Sequence, residues 1–370
     1  MTVLIISQAD DIHASAVSWA LHHYGVDSRL VCAADFPELV EISFRPGTEA
    51  SVRITEPESG DPIDSPNIEV VWFRRFTGPT VPDDAHPADR FAIQHQGFNF
   101  QRSLLASSFK GAFWINDHDA HLRGSNKLHQ LNVAIAEGLR VPATLVSNRP
   151  GDIQAFIDSA EGQIVAKPLS PLNWHGPTHV AAAYTTVVSV DDCQDANALR
   201  WLPMIYQERV EKAFELRVVV MGRTIFAAKI LSQSIPEAVL DWRAAQQSPD
   251  LCYEMFELPS DVTEQIFRFM DRVGLVFGAL DLIVDPIGNF WFLEVNEQGQ
   301  FLFLEERLPQ IPLLDAFAQF CRAASPAFVY IPTGTPVRFG DFLISDSWTV
   351  EGPRKRKLHK AYIPRFSEEE

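Results

Sequence analysis

Cysteine is sparse in this chain. The 370 residues hold four, Cys32, Cys193, Cys252 and Cys321, and their wide spacing suggests neither a zinc site nor a disulfide framework. Reduced thiols in a cytoplasmic setting are the expectation. Long apolar runs are missing too: no stretch reaches the roughly eighteen residues that a membrane-spanning helix needs. The opening, MTVLIISQADDIHASAVSWAL, lacks a positive flank and is broken by Asp10 and Asp11, so it reads as a strand running into a helix rather than a targeting segment. Positive charge is in deficit, with 31 Lys and Arg against 48 Asp and Glu and a net charge of −17. A nonspecific nucleic-acid binder needs a broad phosphate-neutralising face, so this balance argues against that class and leaves open only a local basic groove. GxxxxGK[ST], a strand-linked GxGxxG and the kinase HRD and DFG signatures are absent, and no internal repeat is found.

What is present suits a folded, multidomain protein. Hydrophobic residues make up 46% and charged residues 21%, and the length predicts two or three domains. To about residue 118, strand and helix patterns alternate as in an open α/β layer. TVLIIS is a strand, 12–23 a helix, DSRLVCAADF and VEISFRP further strands, and the Pro/Gly/Asp-rich turn between SVRIT and IEVVWFRR signals a hairpin. A helix over 91–109 leads to an Asn/Asp/Gly boundary. Next comes a helix over 125–137, with Ser125 as N-cap and Leu128, Leu131 and Ile135 on one face. A small βα piece follows through QIVAKPL, then strands TTVVSV and PMIYQERV. From Glu215 the pattern is a meander turning at Gly222, then a helix over 262–273, the segment FGALDLIVDPIGNFWFLEVN and a helix over 313–323. The tail after Ser325 carries RKRK and ends SEEE, runs usually solvated or disordered.

One strand carries the chemical signal. In FWFLEVNEQGQF, residues 290–301, bulky β-formers surround Glu294 and Asn296, which share a face because strand side chains alternate. A carboxylate on an apolar wall is costly unless paired, hydrogen-bonded or metal-bound. If Pro286 to Asn289 form the loop, Asp285 pairs with Phe290, Ile283 with Phe292, and Asp281 with Glu294. Such partners have β-carbons about 5 Å apart, so Asp281, Glu294 and Asn296 form a hard-oxygen cluster better suited to magnesium than to zinc. A buried Glu hydrogen-bonded to Asn with no metal is the equal alternative for the hairpin taken alone. Cationic groups that could oppose it are Lys167, ending an apolar strand before Pro168, and Lys127, in the first turn of its helix. Taken singly, either lysine is an ordinary snorkelling side chain.

The ordered set SNKLHQLNVA, VPATLVS, IVAKPL, IYQERV, AFELRVVVMG, ALDLIVD and FLEVNEQGQF resembles the ATP-grasp ligases. VWFRR, DWR and NEQGQFLFLE look like the branch of peptide macrocyclases that make graspetides, the microviridin-like ribosomal peptides with ester or amide crosslinks. The resemblance implies an α/β (α+β) ATP-grasp fold in parts: an N-terminal open-sheet domain over 1–118, a small central subdomain over 119–206, a C-terminal antiparallel-sheet subdomain over 207–325 and an extension over 326–370. It implies ATP and Mg²⁺, with Lys127 and Lys167 on the α and β phosphates. Gln207, Glu208, Arg209 and Val210 would form the adenine hinge, and Glu215 would take the ribose hydroxyls. Asp281, Glu294 and Asn296 would hold two magnesium ions. The loop SPLNWHGPTH is less glycine-rich than such a phosphate cover is expected to be.

Chemistry supplies the remaining roles. Arg217 and Lys229 are candidates to offset charge on the transferred phosphoryl, although a two-residue turn at Gly222 would place them on opposite faces. Arg243 in DWR offers a planar cation for a substrate carboxylate, and Asp241 either orients it or takes a proton; Trp242 reads as a packing anchor. Adjacent Arg74 and Arg75 should face opposite ways, so at most one lines a cleft. The implied activity is phosphorylation of Asp or Glu side chains of a precursor peptide and closure onto Thr or Ser hydroxyls or Lys amines. The precursor leader would dock on the central domain or the 235–260 stretch, and a homodimer is possible by resemblance. The alternatives are a carboxylate-amine ligase adding an amino acid to a protein or small peptide, like ribosomal-protein glutamate ligases, and an ATP-binding regulatory protein without catalysis.

Overall fold

A computed structural model of the chain describes residues 1–48, 52–55, 62–160, 163–170, 173–175, 180–182, 185–189, 191–193 and 195–360. Alternation in the first third produces a parallel four-stranded sheet, ordered Asp27–Val31, Thr2–Ile6, Val70–Phe73, Phe113–Ile115. The first strand runs into helix Ile12–His23, whose N-cap Asp11 accepts from the His13 backbone N–H at 3.0 Å. A small antiparallel sheet of Ile42–Phe44, Val52–Thr55 and Pro62–Asp64 lies beside it. The expected hairpin thus exists with a different second strand. Pro62–Asp64 pairs with Val52–Thr55, whereas the wholly apolar VVWF run is buried on both faces and enters the parallel sheet.

The C-terminal half is a five-stranded antiparallel sheet, ordered Tyr253–Phe256, Thr224–Ile230, Phe214–Met221, Phe277–Val284, Phe290–Asn296. Alternation divides its faces. Leu216, Val218, Val220, Leu280, Leu282 and Phe292 pack against Ile266, Phe269 and Met270 of helix Ser260–Val273. Val219, Met221 and Phe277 point the other way, into a core shared with Val3, Ile5 and Trp72 of the N-terminal sheet and with helix Leu313–Ala323. Burial of each large apolar side chain contributes about 1.5–3 kcal/mol, so this shared core is a substantial tie between the two halves. Glu215, Arg217, Asp281 and Ile283 occupy the uncovered end of that second face, where the cleft lies.

A smaller four-stranded sheet, ordered Thr186–Val188, Ile164–Lys167, Met204–Glu208, Thr144–Ser147, carries helix Pro150–Ser159. Most of SPLNWHGPTH lies outside the described residues; Asn173–His175 forms a short strand with Val180–Ala182. Before this sheet, the expected 125–137 helix runs Lys127–Ala136, and its cap is Asn126, accepting from His129 N at 3.1 Å, not Ser125. Its buried face is Gln130, Leu131, Val133 and Ala134; Leu128 and Ile135 are exposed.

The tail is docked in part: its RKRK run is largely exposed, as expected, SEEE lies outside the described residues, and the segment between Ser325 and RKRK is packed on the fold. Helix Phe339–Ile344 buries Phe339 and Phe342 in the shared core, and RKRK stands on and just after helix Gly352–Arg356. Two buried acids anchor this extension: Glu305 accepts from Leu314 N and Phe339 N, and Asp315 from Tyr24, Tyr330, Gln319 and Val337 N. Farther on, His359 Nδ1 lies 2.7 Å from buried Asp35. None of the four cysteines forms a disulfide, and among the described residues no helix is long and apolar enough to cross a membrane.

Candidate active site

The hairpin from Phe277 to Asn296 builds the floor of the cleft. Val284 pairs with Phe290, Ile283 with Trp291 and Leu282 with Phe292, one residue short of the expected register. The turn is tightened by Asp285, whose carboxylate accepts from Ile287 N, Asn289 N, Asn289 Nδ2 and Trp291 Nε1. A β-bulge at Leu293 then restores the count, so Asp281 does pair with Glu294. The bulge also lets two successive residues, Leu293 and Glu294, line the same cavity. Asn296 donates to Asp281 Oδ2 at 3.1 Å and reaches Glu294 Oε1 at 3.5 Å, so one amide sits between the two carboxylates.

Cations close over these acids. Lys127 Nζ lies 2.8 Å from Glu294 Oε2, and one helical turn on, Gln130 both accepts from Val295 N and donates to Val295 O. Helix Lys127–Ala136 is thereby fastened to the strand bearing the acids. Arg217 Nη1 contacts both Asp281 oxygens at 3.0 and 2.9 Å, while its Nη2 donates to Gln300 O. Lys167 comes from the smaller sheet across the cavity. Burial pushes its ammonium down to about 8, against the attraction of Glu294. Glu294 itself is held at about 2 because Lys127 and Lys167 outweigh its burial. Asp281 is pushed up by burial, which the Arg217 charge only partly offsets.

The cavity, about 520 Å³, extends from these acids to a slot lined by Pro142, Val165, Val239, Leu240, Ile283 and Leu293. Gln207 is buried and donates to Thr144 Oγ1 at 2.9 Å; Glu208, Arg209 and Val210 follow it along the rim. Glu215 accepts from Lys212 Nζ at 2.6 Å and Ser232 Oγ at 3.0 Å, and burial raises its pKa. Lys212, Ser232 and Gln130 were not legible as site residues: Ser232 and Gln130 act through Glu215 and Val295, distant in sequence, and Lys212, three residues from Glu215, reads from sequence as an ordinary charged side chain. The apolar slot gave no signal because its residues look like core.

Arg243 opens onto the same cavity, its Nε and Nη2 gripping Asp241 at 2.8 and 2.6 Å. Burial would raise Asp241, but Arg243 overrides it and holds the carboxyl below its usual range. Trp242 is buried and stacks on Phe303 at 5.5 Å between centroids, a packing anchor as expected. Lys229 is the residue the structure removes. The turn at Gly222 and Arg223 has two residues, so Lys229 pairs with Leu216 and points away from Arg217, meeting Glu254 at 3.0 Å instead. Arg74 and Arg75 do not diverge as expected. The strand ends at Phe73, and beyond it both reach Asp11, at 3.3 and 3.6 Å, with Arg74 fully buried.

No family model and no curated protein matches the chain. Solved structures do. The macrocyclase MdnC from Microcystis aeruginosa, crystallised with its precursor peptide MdnA, is 28% identical with a TM-score of 0.77, over 87% of this chain and 100% of that one. A RiPP-associated ATP-grasp ligase of Chryseobacterium gregarium, in complex with ADP and a leader and core peptide, is 25% identical with a TM-score of 0.79, over 88% and 97%. The chain has the ATP-grasp fold and is similar to ATP-grasp ligases of this kind. D-alanyl-alanine synthetase A from Vibrio cholerae, 13% identical with a TM-score of 0.56 over 88% and 97%, shares the fold alone. For an ATP-grasp ligase the donor set at the hairpin is chemically apt. Two carboxylates and an amide are hard oxygen ligands of the kind magnesium takes with phosphates, and no His or Cys is among the described residues lining the cavity.

Proposed function

We propose that this ATP-grasp ligase crosslinks a ribosomal precursor peptide, activating its Asp or Glu side chains as acyl phosphates and closing them onto Thr or Ser hydroxyls or Lys amines. The observation that carries the reading is the meeting of three groups in one cavity. Lys127 and Lys167 offer phosphate-binding charge, Asp281, Glu294 and Asn296 offer oxygen ligands for magnesium, and Arg243 faces them with a bidentate guanidinium. In this reading the apolar slot takes adenine, Gln207 to Val210 its edge, and Glu215 the ribose hydroxyls.

A carboxylate is a poor electrophile. Its oxygen attacks the γ-phosphorus, ADP leaves, and the resulting acyl phosphate carries a good leaving group. A hydroxyl or amine then attacks the carbonyl carbon, losing its proton as inorganic phosphate departs. Bound magnesium supplies charge neutralisation on the phosphates. The protein's part is to hold them with Lys127 and Lys167 and to place Arg217 beside the transferred group. Arg243 orients the substrate carboxylate. Asp241, held below its usual range by Arg243, is a weak proton acceptor and serves to fix that guanidinium. The smaller sheet or the 235–260 stretch is the proposed seat of the leader.

MdnC was crystallised with a precursor peptide and the Chryseobacterium ligase was solved in complex with a leader and core peptide, which supports a peptide substrate. Intact-mass analysis with candidate precursors is the test. Loss of one water per crosslink within a single peptide is the expected result, with a short neighbouring reading frame rich in Thr and Asp or Glu as the first precursor to try. A gain of an amino-acid residue would replace cyclisation with extension, and ATP binding without turnover on any peptide would remove the ligase reading.

A further inference from the structure

The loop after Asn296 is held from two sides, by the N-terminal half of the chain and by the C-terminal sheet. Glu297 O accepts from Asn116 Nδ2 at 3.0 Å, and the Glu297 carboxylate lies 3.0 Å from His121 Nδ1. Gln298 O accepts from Arg74 Nη1, and its side chain donates to Phe73 O. Gly299 presses on the sheet so closely that an added Cβ would stand 2.6 Å from Ala279 Cβ and 2.9 Å from Arg217 Nη2. Gln300 O takes the second arm of Arg217, at 3.0 Å. Phe301 N and Leu302 N both donate to His13 Nε2, at 3.1 and 3.3 Å.

His13 and Arg74 are buried to within a few per cent, and Asp11 stands behind both. Because His13 Nε2 accepts two N–H groups, its proton belongs on Nδ1, the atom facing Asp11 at 3.7 Å. Burial, reinforced by the Arg74 charge, holds that imidazole neutral with a pKa of about 3. Asn116 spends all its capacity here: it accepts from Val276 N and Phe277 N and donates to Phe277 O and Glu297 O. None of these residues lines the cavity. What they touch is the backbone that Arg217 also grips, and Arg217 in turn holds Asp281.

We infer that His13 and Arg74 are positioning residues of the N-terminal domain that set the metal-binding half of the site, acting through loop 297–301 on Arg217, Asp281 and Asn296. This rests on the proposed reading of Asp281, Glu294 and Asn296 as ligands of magnesium. It makes the N-terminal domain part of the frame of the site, through its contacts with the loop that follows the metal-side strand. The consequence is a specific signature: loss of metal affinity with nucleotide affinity spared.

The test uses the full chain and Mn²⁺ as the probe, with ADP, read by the paramagnetic resonance of free Mn²⁺. In His13→Leu, Mn²⁺ affinity in the presence of ADP should fall at least tenfold. ADP affinity without metal, set by Lys127, Lys167 and the hinge, should stay within twofold. His13→Gln, which keeps an acceptor, should recover most of the loss. Should His13→Leu fail to fold, Arg74→Met carries the same test through Gln298. Unchanged Mn²⁺ affinity in folded variants, or equal losses of ADP and Mn²⁺ binding, would overturn the inference. A wild-type protein that binds Mn²⁺ with ADP yet crosslinks no peptide would fail the proposed function and leave this assignment standing; a wild type that binds no Mn²⁺ with ADP would sink both.

Discussion

Lys127 Nζ and Glu294 Oε2 meet at 2.8 Å, so the cation assigned to nucleotide phosphate holds the carboxylate assigned to metal. Arg217 does the same for Asp281 at 2.9 Å. An acid on a partly apolar wall stays ionised only with a counter-charge nearby, and in the free protein these side chains provide it. In the proposed reading Asp281 and Glu294 would hold magnesium, which would supply the counter-charge these cations now provide, and Lys127 would be free to turn to phosphate.

The exchange makes Glu294→Gln the sharpest single substitution. It keeps shape and hydrogen bonding near Lys127 but removes the metal-side charge. Magnesium-dependent ADP release should fall on the order of 10²-fold or more, the scale expected for losing a preorganised electrostatic contact. Melting followed by circular dichroism should move by only a few degrees. Full turnover in this variant would cancel the metal assignment.

Lys167 predicts a pH dependence of nucleotide binding. Its free-protein pKa is pushed down to about 8 by burial, whereas phosphate favours the charged form. Above about pH 8, binding must take up a proton, and affinity for ADP should fall by up to about tenfold per pH unit. Lys167→Arg, charged throughout that range, should flatten the slope. Calorimetric titrations at several pH values in buffers of different ionisation enthalpy would count the proton; none taken up near pH 9 would contradict the assignment.

Arg243→Lys separates substrate orientation from nucleotide binding. The planar fork that grips Asp241 at two points cannot be reproduced by an ammonium. A charged hydrogen bond is worth about 1.5–3 kcal/mol, so crosslinking of the precursor should fall roughly ten- to a hundredfold. ADP affinity should hold. An equal loss in both would place Arg243 on the nucleotide instead.

The sequence made the site legible where alternation decides it. Glu294 beside Asn296, their facing of Asp281, and the opposite faces of Arg217 and Lys229 all follow from a period of two. The Asp281 pairing was nonetheless reached through two compensating differences, a loop one residue longer and a bulge at Leu293, neither of which hydrophobic pattern marks. Asn126 took the cap from Ser125 because only the three-dimensional turn decides which side chain faces His129 N. Arg74, His13 and Asn116 stayed hidden for another reason. Their partners are backbone atoms more than 150 residues away, and a backbone atom leaves no trace in residue type. The docked extension was obscured likewise, since Glu305 and Asp315 hold it largely through N–H groups.

Gly299→Ala tests the close approach of the loop to the sheet. The new methyl would sit 2.6 Å from Ala279 Cβ and 2.9 Å from Arg217 Nη2, and Ala279, on a sheet strand, cannot yield. Overpacking of this kind costs about 1–3 kcal/mol, visible as a lowered melting temperature. The half-saturating magnesium concentration for ADP release should rise at the same time, because displacement of Gln300 frees the arm of Arg217 that steadies Asp281. A stability loss with unchanged magnesium dependence would confine the loop to a packing role.

Glu305 gives a stability prediction independent of the cleft. Its carboxylate lies beneath the extension, accepting from Leu314 N at 2.7 Å and Phe339 N at 2.9 Å, and burial raises its pKa to about 7 despite those donors. In the unfolded chain the group titrates near 4.5. Between these values the folded protein binds more protons than the unfolded one, so stability falls as pH rises through the window and is flat on either side. The full span corresponds to about 3 kcal/mol, an upper figure for one group. Glu305→Gln, uncharged at every pH, should lose this decline between about pH 4.5 and 7 while keeping an acceptor for one of the two N–H groups. Chemical denaturation of both proteins at intervals across that range measures the difference. Parallel curves would mean that the carboxylate is ionised in the fold and that its two backbone donors, rather than burial, decide its charge.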